Sequence, residues 1–383
     1  MPADFQYRIY LEGLAGRTPG LPTDLSRLEE LARERMDPAV HDYVAGGAGS
    51  EASVRANRAG LDQWRIVPRM LRDTSRRDLG CEVFGQRLAY PVALAPVGVL
   101  PIVHPDGEVA AARAAAAVGV PYTLSSVSGA PMETVAAAMG QATRWFQLYW
   151  PRDREITRSF LARAQRAGYS ALVVTLDTTA MAWRPRDLDR AYLPFLRGVG
   201  LANYLTDPAF QAGLARPVEE DPEAAIRHWA AVFSEQGHTW EDLAFLRENW
   251  DGPILLKGVL HPDDARRAVD AGAAGVVVSN HGGRQLDGSI GAIEALPEVA
   301  RAVGERASVL FDSGIRSGTD VVKALALGAR AVLLGRPYVY GLGLEGQAGV
   351  EHVLRCLLAE TDLTLGLCGV AALAGLGPEL LRR

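Results

Sequence analysis

Short apolar runs rich in branched residues alternate with alanine-rich, helix-sized intervals from about residue 90 onward. Eight of these runs predict strands, at 91–95, 122–125, 144–149, 171–177, 254–257, 275–279, 309–312 and 331–335. The intervals between them predict helices, among them 104–118, 159–167, 262–271 and 317–327, and glycines such as Gly119 and Gly272 mark helix ends. Strands that alternate with crossover helices predict parallel pairing, and eight of them predict a (β/α)₈ TIM barrel of the α/β class.

Two parts of the chain depart from this alternation. Residues 1–85 precede the barrel and contain predicted helices at 25–36 and 38–44, so we expect an N-terminal helical cap over one end of the barrel. After the fourth strand, residues 178–252 are far longer than one helix requires, and their aromatic residues favour a packed lid over a disordered loop. A last helix is predicted at 349–359. No linker separates these parts, so we predict a single domain spanning 1–383.

The composition is that of an ordinary globular protein. The net charge of −5 comes without any block of like charge, which argues against a nucleic-acid-binding surface. The widely spaced Cys81, Cys356 and Cys368 provide neither a disulfide framework nor the spacing of a metal site. The N-terminus lacks signal-peptide features, and no apolar run reaches the roughly 18 residues of a membrane span. We therefore expect a soluble, cytoplasmic protein without a membrane or nucleic-acid partner.

Polar side chains gather at the carboxyl ends of six predicted strands, where TIM barrels form their active sites. They are Ser125, Gln147 with Tyr149, Thr175 with Asp177, Lys257, Ser279 with His281, and Asp312 with Ser313. Buried polar groups satisfied by backbone would explain one or two of these strands, but not six. The pattern therefore predicts an active site at this end of the barrel.

The segment 279–285, directly after the sixth strand, carries the sharpest chemical signal. His281 can take up a proton near neutral pH, and Arg284 can hold a carboxylate through two parallel hydrogen bonds. A structural histidine in a solvated loop is the alternative. Arg184 is a second candidate for binding a carboxylate, and a surface ion pair with Asp187 is the competing interpretation.

The residues of the loops after the last two predicted strands are typical of an anion-binding site. They contain glycines with Arg316 and Arg336, and barrels commonly bind a phosphate at this place. The pattern does not distinguish a phosphate of the substrate from one of a cofactor. Lys257 fits either a Schiff-base lysine or a fixed positive charge over a bound ring, and a lysine that merely reaches solvent is the third option. The Schiff-base option would make the chain a phosphate-binding barrel lyase or isomerase, and a non-catalytic barrel is disfavoured because the predicted groups are all present.

Together these residues resemble the FMN-dependent α-hydroxy-acid oxidising family, whose signature is the 279–285 motif. The resemblance covers nearly the whole chain. Within the family it is greatest to the lactate 2-monooxygenases, through segments 43–47, 95–99, 183–188, 194–198, 204–208 and 261–267.

The resemblance implies a role for each site residue. In catalysis it implies His281 as the base, Asp177 as the partner of that base, Arg184 and Arg284 as carboxylate clamps, and Tyr43 and Tyr149 as hydrogen-bonding groups for the substrate. For FMN it implies Pro96, Val97 and Gly98 against the ring, Ser125, Gln147 and Thr175 at the ring edge, Lys257 beside N1 and O2, and Ser279, Asp312, Ser313, Gly314, Arg316, Gly335 and Arg336 along the ribityl chain and phosphate. No metal is implied.

The implied reaction is oxidation of an L-2-hydroxy acid similar to lactate, with oxygen as acceptor, by a homo-oligomer (a tetramer or octamer). Release of the keto acid would yield hydrogen peroxide as the second product, whereas a retained keto acid would be oxidatively decarboxylated. The long 178–252 segment and Gly98, where oxidases of the family often carry alanine, favour the second outcome. Val97 and Val127 replace a threonine and a tryptophan of glycolate oxidase, and the less bulky 179–181 segment predicts room for a substrate larger than lactate.

Overall fold

Eight parallel strands close into a barrel in the computed structural model, which describes residues 1–233 and 235–383. They are β1 (Val92–Leu94), β2 (Tyr122–Ser125), β3 (Arg144–Tyr149), β4 (Leu172–Thr175), β5 (Ile254–Val259), β6 (Gly275–Val278), β7 (Ser308–Phe311) and β8 (Ala331–Leu334). Each strand pairs with the next, and β8 pairs with β1. The predicted TIM barrel is confirmed, and every strand end lies within two residues of its predicted position.

Branched and aromatic side chains fill the barrel interior. This core includes Ala93, Trp145, Val173, Leu255, Val277, Leu310 and Leu333. A hairpin of strands Cys81–Val83 and Gln86–Leu88 closes one end, where Phe84 packs edge-on against Trp145 with ring centroids 5.3 Å apart. The opposite, carboxyl end of the strands carries the polar residues, so the barrel is a packed core with a site at one end.

Helices surround the strands. Those that follow strands are Gly107–Val118, Met132–Met139, Arg154–Arg166, Pro262–Asp270, Ala292–Val303, Gly318–Ala326 and Arg336–Leu367. The predicted helix 159–167 begins earlier, because Asp153 accepts hydrogen bonds from the backbone N–H groups of Glu155 and Ile156. The predicted helix 349–359 is part of Arg336–Leu367, which is interrupted at Gly346.

The N-terminal region contains more helix than the sequence pattern predicted. Its helices are Asp4–Leu14, Leu28–Arg35 after a 3₁₀ turn at Leu25–Arg27, Pro38–Ala45 and Ala52–Gln63. Asn57 exchanges hydrogen bonds with the side chain of Asn280, so the last of these helices lies against the loop after β6. The cap therefore covers the carboxyl end of the barrel. The C-terminal strand Leu381–Arg382 pairs with Arg65–Ile66 and ties the end of the chain to this region.

The segment after β4 folds into short helices. They are Pro185–Asp189, the 3₁₀ turn Pro194–Arg197, Ala202–Leu205, Pro208–Ala212, Pro222–Val232, the 3₁₀ turn Trp240–Asp242 and Leu243–Asn249. Tyr204 and Phe210 are fully buried, as expected for a packed segment, whereas Trp183 is 74% exposed. Within the described part of the chain, no helix has the length and hydropathy needed to cross a membrane.

Candidate active site

A cavity of about 310 Å³ opens at the carboxyl end of the barrel, between the strands, the cap and the segment after β4. Most of the predicted site residues line it: Tyr43, Pro96, Val97, Gly98, Tyr149, Arg184, Lys257, His281, Arg284, Asp312, Ser313, Gly314, Arg316, Gly335 and Arg336. Asp177, Ser125, Gln147, Thr175 and Ser279 lie behind this wall and are joined to each other or to it by hydrogen bonds. The structure thus brings the residues from six strand ends into one place.

His281 is held by a short turn after β6. Its backbone lies in the left-handed region (φ 57°), and its N–H donates to Ser279 Oγ at 3.0 Å. The imidazole Nδ1 lies 2.8 Å from Asp177 Oδ1, which leaves Nε2 directed to the cavity side, 3.5 Å from Tyr149 Oη. Burial lowers the pKa of His281 more than the neighbouring Asp177 raises it. The imidazole is therefore neutral at pH 7 and can accept a proton.

Asp177 approaches His281 because Gly258 leaves room for it. A Cβ atom at Gly258 would lie 2.7 Å from the Cβ and Cγ atoms of Asp177. Burial would raise the pKa of Asp177, but its interactions with His281 and Lys257 outweigh this and lower the pKa. The group is thus a carboxylate that can orient an imidazole and stabilise its protonated form.

Two guanidinium groups flank the ring of Tyr43. The Arg184 and Arg284 carbons Cζ lie 5.5 Å and 5.3 Å from its centroid. Arg284 donates to the backbone oxygens of Tyr43 and Gly46, both at 2.7 Å. Burial and the like charges of Arg184 and Arg336 lower the pKa of Arg284 to about 10. Such a set of closely spaced, partly buried cations is suited to binding an anion.

Arg184 pairs with Asp187, but not as the surface ion pair that the sequence offered as the competing interpretation. Its Nε lies 2.8 Å from Asp187 Oδ2, but both side chains are largely buried, so the pair is not on the surface. Arg184 also lines the cavity. Pairing with Asp187 and binding of a carboxylate are therefore compatible.

Tyr149 supplies a phenol to the same cavity. Burial raises its pKa to about 12, so it stays protonated at neutral pH and can donate a hydrogen bond. Its ring packs against Phe233 from the segment after β4, with centroids 5.4 Å apart.

Polar side chains on consecutive strands form two connected sets behind the cavity. Ser125 Oγ donates to Gln147 Oε1 at 3.0 Å, and Gln147 Nε2 donates to Thr175 Oγ1 at 2.9 Å. Lys257 Nζ donates to Ser279 Oγ at 3.0 Å and lies 3.3 Å from Asp312 Oδ2. Burial would lower the pKa of Lys257, but Asp312 and Asp177 raise it overall. A lysine kept protonated in this way is a fixed charge, which disfavours a Schiff-base role.

The loops after β7 and β8 form the other end of the cavity. Ser313 Oγ accepts hydrogen bonds from the backbone N–H groups of Asn280 and Gly282, which joins the loops after β6 and β7. Arg316 is a partly buried cation whose side chain, within the described residues, donates only to the carbonyl of Ile315. Burial lowers its pKa, and a bound phosphate would compensate its charge. Arg336 lines the cavity as well, but its guanidinium donates to the carbonyls of Val44, Gly46 and Gly282.

These residues fit FMN. The 95–99 loop supplies an apolar wall for a ring, Lys257 supplies a buried positive charge, and Arg316 supplies a partly buried cation for the phosphate. Within residues 1–233 and 235–383, no group of three potential ligand side chains could hold a metal ion.

Several lining residues were not identified from the sequence. Thr178 and Gln285 lie beside the catalytic candidates, and Gln285 Nε2 donates to the carbonyl of Asp177 at 2.9 Å. Leu193, Phe195, Trp229 and Phe233 come from the segment after β4 and form its apolar wall. The spacing of Ala225, Trp229 and Val232 could have indicated a helix, but it does not indicate which side chain meets the cavity.

Comparison with known proteins agrees with this geometry. Residues 32–383 match the family model described as FMN-dependent dehydrogenase. The chain is 44% identical over 383 residues to the FMN-dependent α-hydroxy acid dehydrogenase qulF of Penicillium citrinum, covering 99% of this chain and 95% of the relative. It is 40% identical over 368 residues to an L-lactate oxidase of Lysinibacillus sphaericus (strain C3-41), covering 96% and 94%. The crystal structure of mandelate oxidase with (S)-4-hydroxymandelic acid is similar with a TM-score of 0.84 and 43% identity, covering 94% of this chain and 98% of that one. The chain therefore belongs to the FMN-dependent α-hydroxy-acid oxidising family, and FMN is its cofactor.

Proposed function

We propose that this enzyme oxidises an L-2-hydroxy acid with an apolar side chain, of which lactate is the smallest, and that oxygen is the final electron acceptor. The observation that carries the proposal is the placement of a neutral imidazole and two partly buried guanidinium groups in one cavity. Arg184 and Arg284 bind the carboxylate on either side of Tyr43. His281 Nε2 takes the substrate's proton, and Asp177 stabilises the imidazolium that results. Tyr149 donates to the substrate's hydroxyl oxygen.

The residues that we assign to FMN support the cofactor and supply positive charge beside it. Bound FMN supplies the acceptor for the two electrons that leave the substrate. Pro96, Val97 and Gly98 support its ring, with Ser125, Gln147 and Thr175 near the ring edge and Lys257 as a fixed positive charge. Ser279, Asp312, Ser313, Gly314, Arg316, Gly335 and Arg336 hold the ribityl chain and phosphate, with Arg316 as the main counter-ion.

The substrate's side chain faces the apolar wall. Ala180 and Met181 leave space there. Trp229 stacks on Phe195 and packs at a tilt against Phe233, with ring centroids 4.8 Å apart in both pairs. Each additional buried CH₂ contributes about 0.8 kcal/mol. We therefore expect 2-hydroxy acids with longer apolar side chains to have lower KM values than lactate.

Residues 178–252 act as a lid that retains the keto acid, so that oxidative decarboxylation follows. Arg186 on this segment pairs with Glu51 of the cap at 2.6 Å, and Arg190 pairs with Asp42. Gly98 adds little support, because a Cβ atom there would lie 2.5 Å from the carbonyl oxygen of Val127, and packing alone accounts for the glycine. A simple oxidase that releases keto acid and hydrogen peroxide is the alternative.

Aerobic turnover of L-lactate, L-2-hydroxybutyrate and L-mandelate, with all products quantified, tests the reaction. We expect carbon dioxide and the shortened acid with little hydrogen peroxide. Keto acid with an equal amount of peroxide would establish the simple oxidase.

A His281→Asn variant tests the base separately. It should retain FMN and lose anaerobic flavin reduction by at least about a hundredfold, since a positioned base contributes about 10² to 10⁴. The matched control is His261→Asn, because His261 is exposed at the start of the helix Pro262–Asp270 and is not among the described residues that line the cavity. Unchanged flavin reduction in His281→Asn would overturn the assignment of the base.

A further inference from the structure

Asp187 is a buried carboxylate for which the proposed chemistry has no use. Only 8% of the residue is exposed, and it lies on the short helix Pro185–Asp189 that begins directly after Arg184. Neither of its oxygens has an aligned hydrogen-bond donor among the described residues. Burying a carboxylate in this way is unfavourable unless a nearby cation compensates it.

The compensating charge comes from the carboxylate-binding pair. Arg184 Nε lies 2.8 Å from Asp187 Oδ2, and Arg184 and Arg284 both lower the pKa of Asp187 against the larger effect of burial, which raises it. Asp42 is the other charged group that acts on Asp187, and it is engaged by Arg190 and by Arg186. Asp187 therefore interacts chiefly with the guanidinium groups that we assign to the substrate's carboxylate.

Asp187 contacts the Nε edge of the Arg184 guanidinium group, and the two terminal nitrogens lie at its other edge. Asp187 Oδ2 lies 2.8 Å from Arg184 Nε as an ion pair whose N–H is not aligned for a hydrogen bond, and the Asp187 N–H donates to the Arg184 carbonyl at 3.1 Å. The guanidinium lies over Tyr43 and lines the cavity. The terminal nitrogens, which bind carboxylates in pairs, thus remain for a ligand.

We propose that Asp187 is a positioning residue that holds Arg184 in the orientation required for carboxylate binding. This inference rests on the proposed role of Arg184. Without Asp187, the guanidinium would have to be ordered at the moment of binding, which weakens affinity without changing the chemical step.

The test compares Asp187→Ala and Asp187→Asn with the matched control Asp189→Ala, since Asp189 is an exposed aspartate at the end of the same helix. The FMN-loaded enzymes are reduced anaerobically at a series of substrate concentrations, which separates the substrate Kd from the limiting rate constant. For Asp187→Ala we expect a Kd increase of about 10- to 100-fold with a limiting rate constant within about threefold of the unmodified enzyme. Asp187→Asn keeps an acceptor oxygen, so its Kd should rise less, by about three- to tenfold.

A second measurement is specific to the carboxylate. The preference for a 2-hydroxy acid over its 2-hydroxy amide should fall in both Asp187 variants, which a general loosening of the lid would not cause. If Asp187→Ala fails to load FMN, Asp187→Asn carries the test alone. A Kd no higher than that of Asp189→Ala, or a lower limiting rate constant at unchanged Kd, overturns the proposal.

Arg184→Ala distinguishes failure of this inference from failure of the proposed function. If Arg184→Ala leaves the Kd unchanged, the carboxylate role of Arg184 is wrong, and the inference falls with it. If Arg184→Ala raises the substrate Kd, the double variant Arg184→Ala/Asp187→Ala should have the same Kd as Arg184→Ala alone, because Asp187 acts through Arg184. An additive effect there would overturn the positioning role alone.

Discussion

Three non-glycine residues around the cavity have left-handed backbone conformations: Val99 (φ 53°), His281 (φ 57°) and Ser313 (φ 78°). Such conformations cost about 1 kcal/mol or more each and persist only where surrounding contacts hold them. Hydrogen bonds to Ser279 Oγ and Ser313 Oγ provide those contacts in the loops after β6 and β7. The orientation of the side chains on the loops after β6 and β7 thus depends on neighbouring hydroxyl groups.

The pH dependence of kcat/KM should report His281. Because burial lowers its pKa below the usual 6.5, activity should be level near pH 7 and fall as the pH drops through that lowered value. Asp177 raises the pKa of His281, so Asp177→Asn should move the acid limb to lower pH and reduce the plateau rate. A pH profile of flavin reduction checks both effects. An acid limb that moves to higher pH in Asp177→Asn would contradict this account.

Gly258→Ala should impair catalysis through Asp177. The added Cβ would lie 2.7 Å from Asp177, so the carboxylate must move away from His281. We expect flavin reduction to slow by about tenfold or more while FMN stays bound. Gly272→Ala is the matched control, since Gly272 also has a positive φ but open space around its Cβ position. Equal rates in the two variants would show that the contact with Asp177 has no role.

The short helices after β4 combine two kinds of contact. Their aromatic residues form the wall of the cavity, whereas charged residues on Pro185–Asp189 and just beyond it join them to the cap. Helices this short have little intrinsic stability, so these tertiary contacts determine where they lie. The cap and this segment should therefore respond together to changes in their shared ion pairs.

Arg186→Gln should loosen the lid. Arg186 pairs with Glu51 at 2.6 Å and lies 3.8 Å from Asp42, so its loss removes a connection between lid and cap. We expect a larger share of hydrogen peroxide among the products and faster proteolysis within residues 178–252. Arg227→Gln, which disturbs an exposed pair on Pro222–Val232, should change neither. An unchanged product ratio and cleavage rate in Arg186→Gln would argue against the lid.

Across the whole molecule, the positive charges of the cavity oppose one another in the absence of a ligand. Burial and like charges lower the pKa values of Arg284 and Arg316. A ligand that binds only the folded state stabilises it by about 2.7 kcal/mol at a concentration of 100 times its Kd. The cofactor should therefore contribute measurably to the stability of the fold.

Removal of FMN should lower the Tm by several degrees, and added FMN should restore it. Inorganic phosphate should give a smaller increase in the apoprotein, because it neutralises Arg316 without filling the rest of the cavity. In Arg316→Gln the phosphate effect should disappear, whereas Arg330→Gln, at an exposed position, should keep it. Thermal unfolding followed by circular dichroism measures these shifts. A phosphate effect that survives in Arg316→Gln would place the anion elsewhere.

Much of the fold was predictable, because local patterns specify it. Branched runs such as Gly275–Val278 can be recognised as buried strands, and a capping serine such as Ser317 marks a helix start in both sequence and structure. The N-terminal helices Asp4–Leu14 and Ala52–Gln63 were missed, since they lack strong start signals: neither has a side-chain N-cap. Their positions depend on contacts with distant parts of the chain.

The sequence by itself determined the barrel and the identity of most polar residues that line its cavity, because parallel strands bring their carboxyl ends together whatever the intervening loops do. Only the tertiary structure decided the charge states and the contacts of these residues. Burial keeps the imidazole of His281 neutral, the helix Pro185–Asp189 places Asp187 against Arg184, and the cap's backbone carbonyls engage Arg336. Trp229 and Phe233 likewise reach the cavity only through the folding of the segment after β4. Charge state and orientation depend on neighbours more than a hundred residues away, as between Asp177 and His281, and no local pattern encodes them.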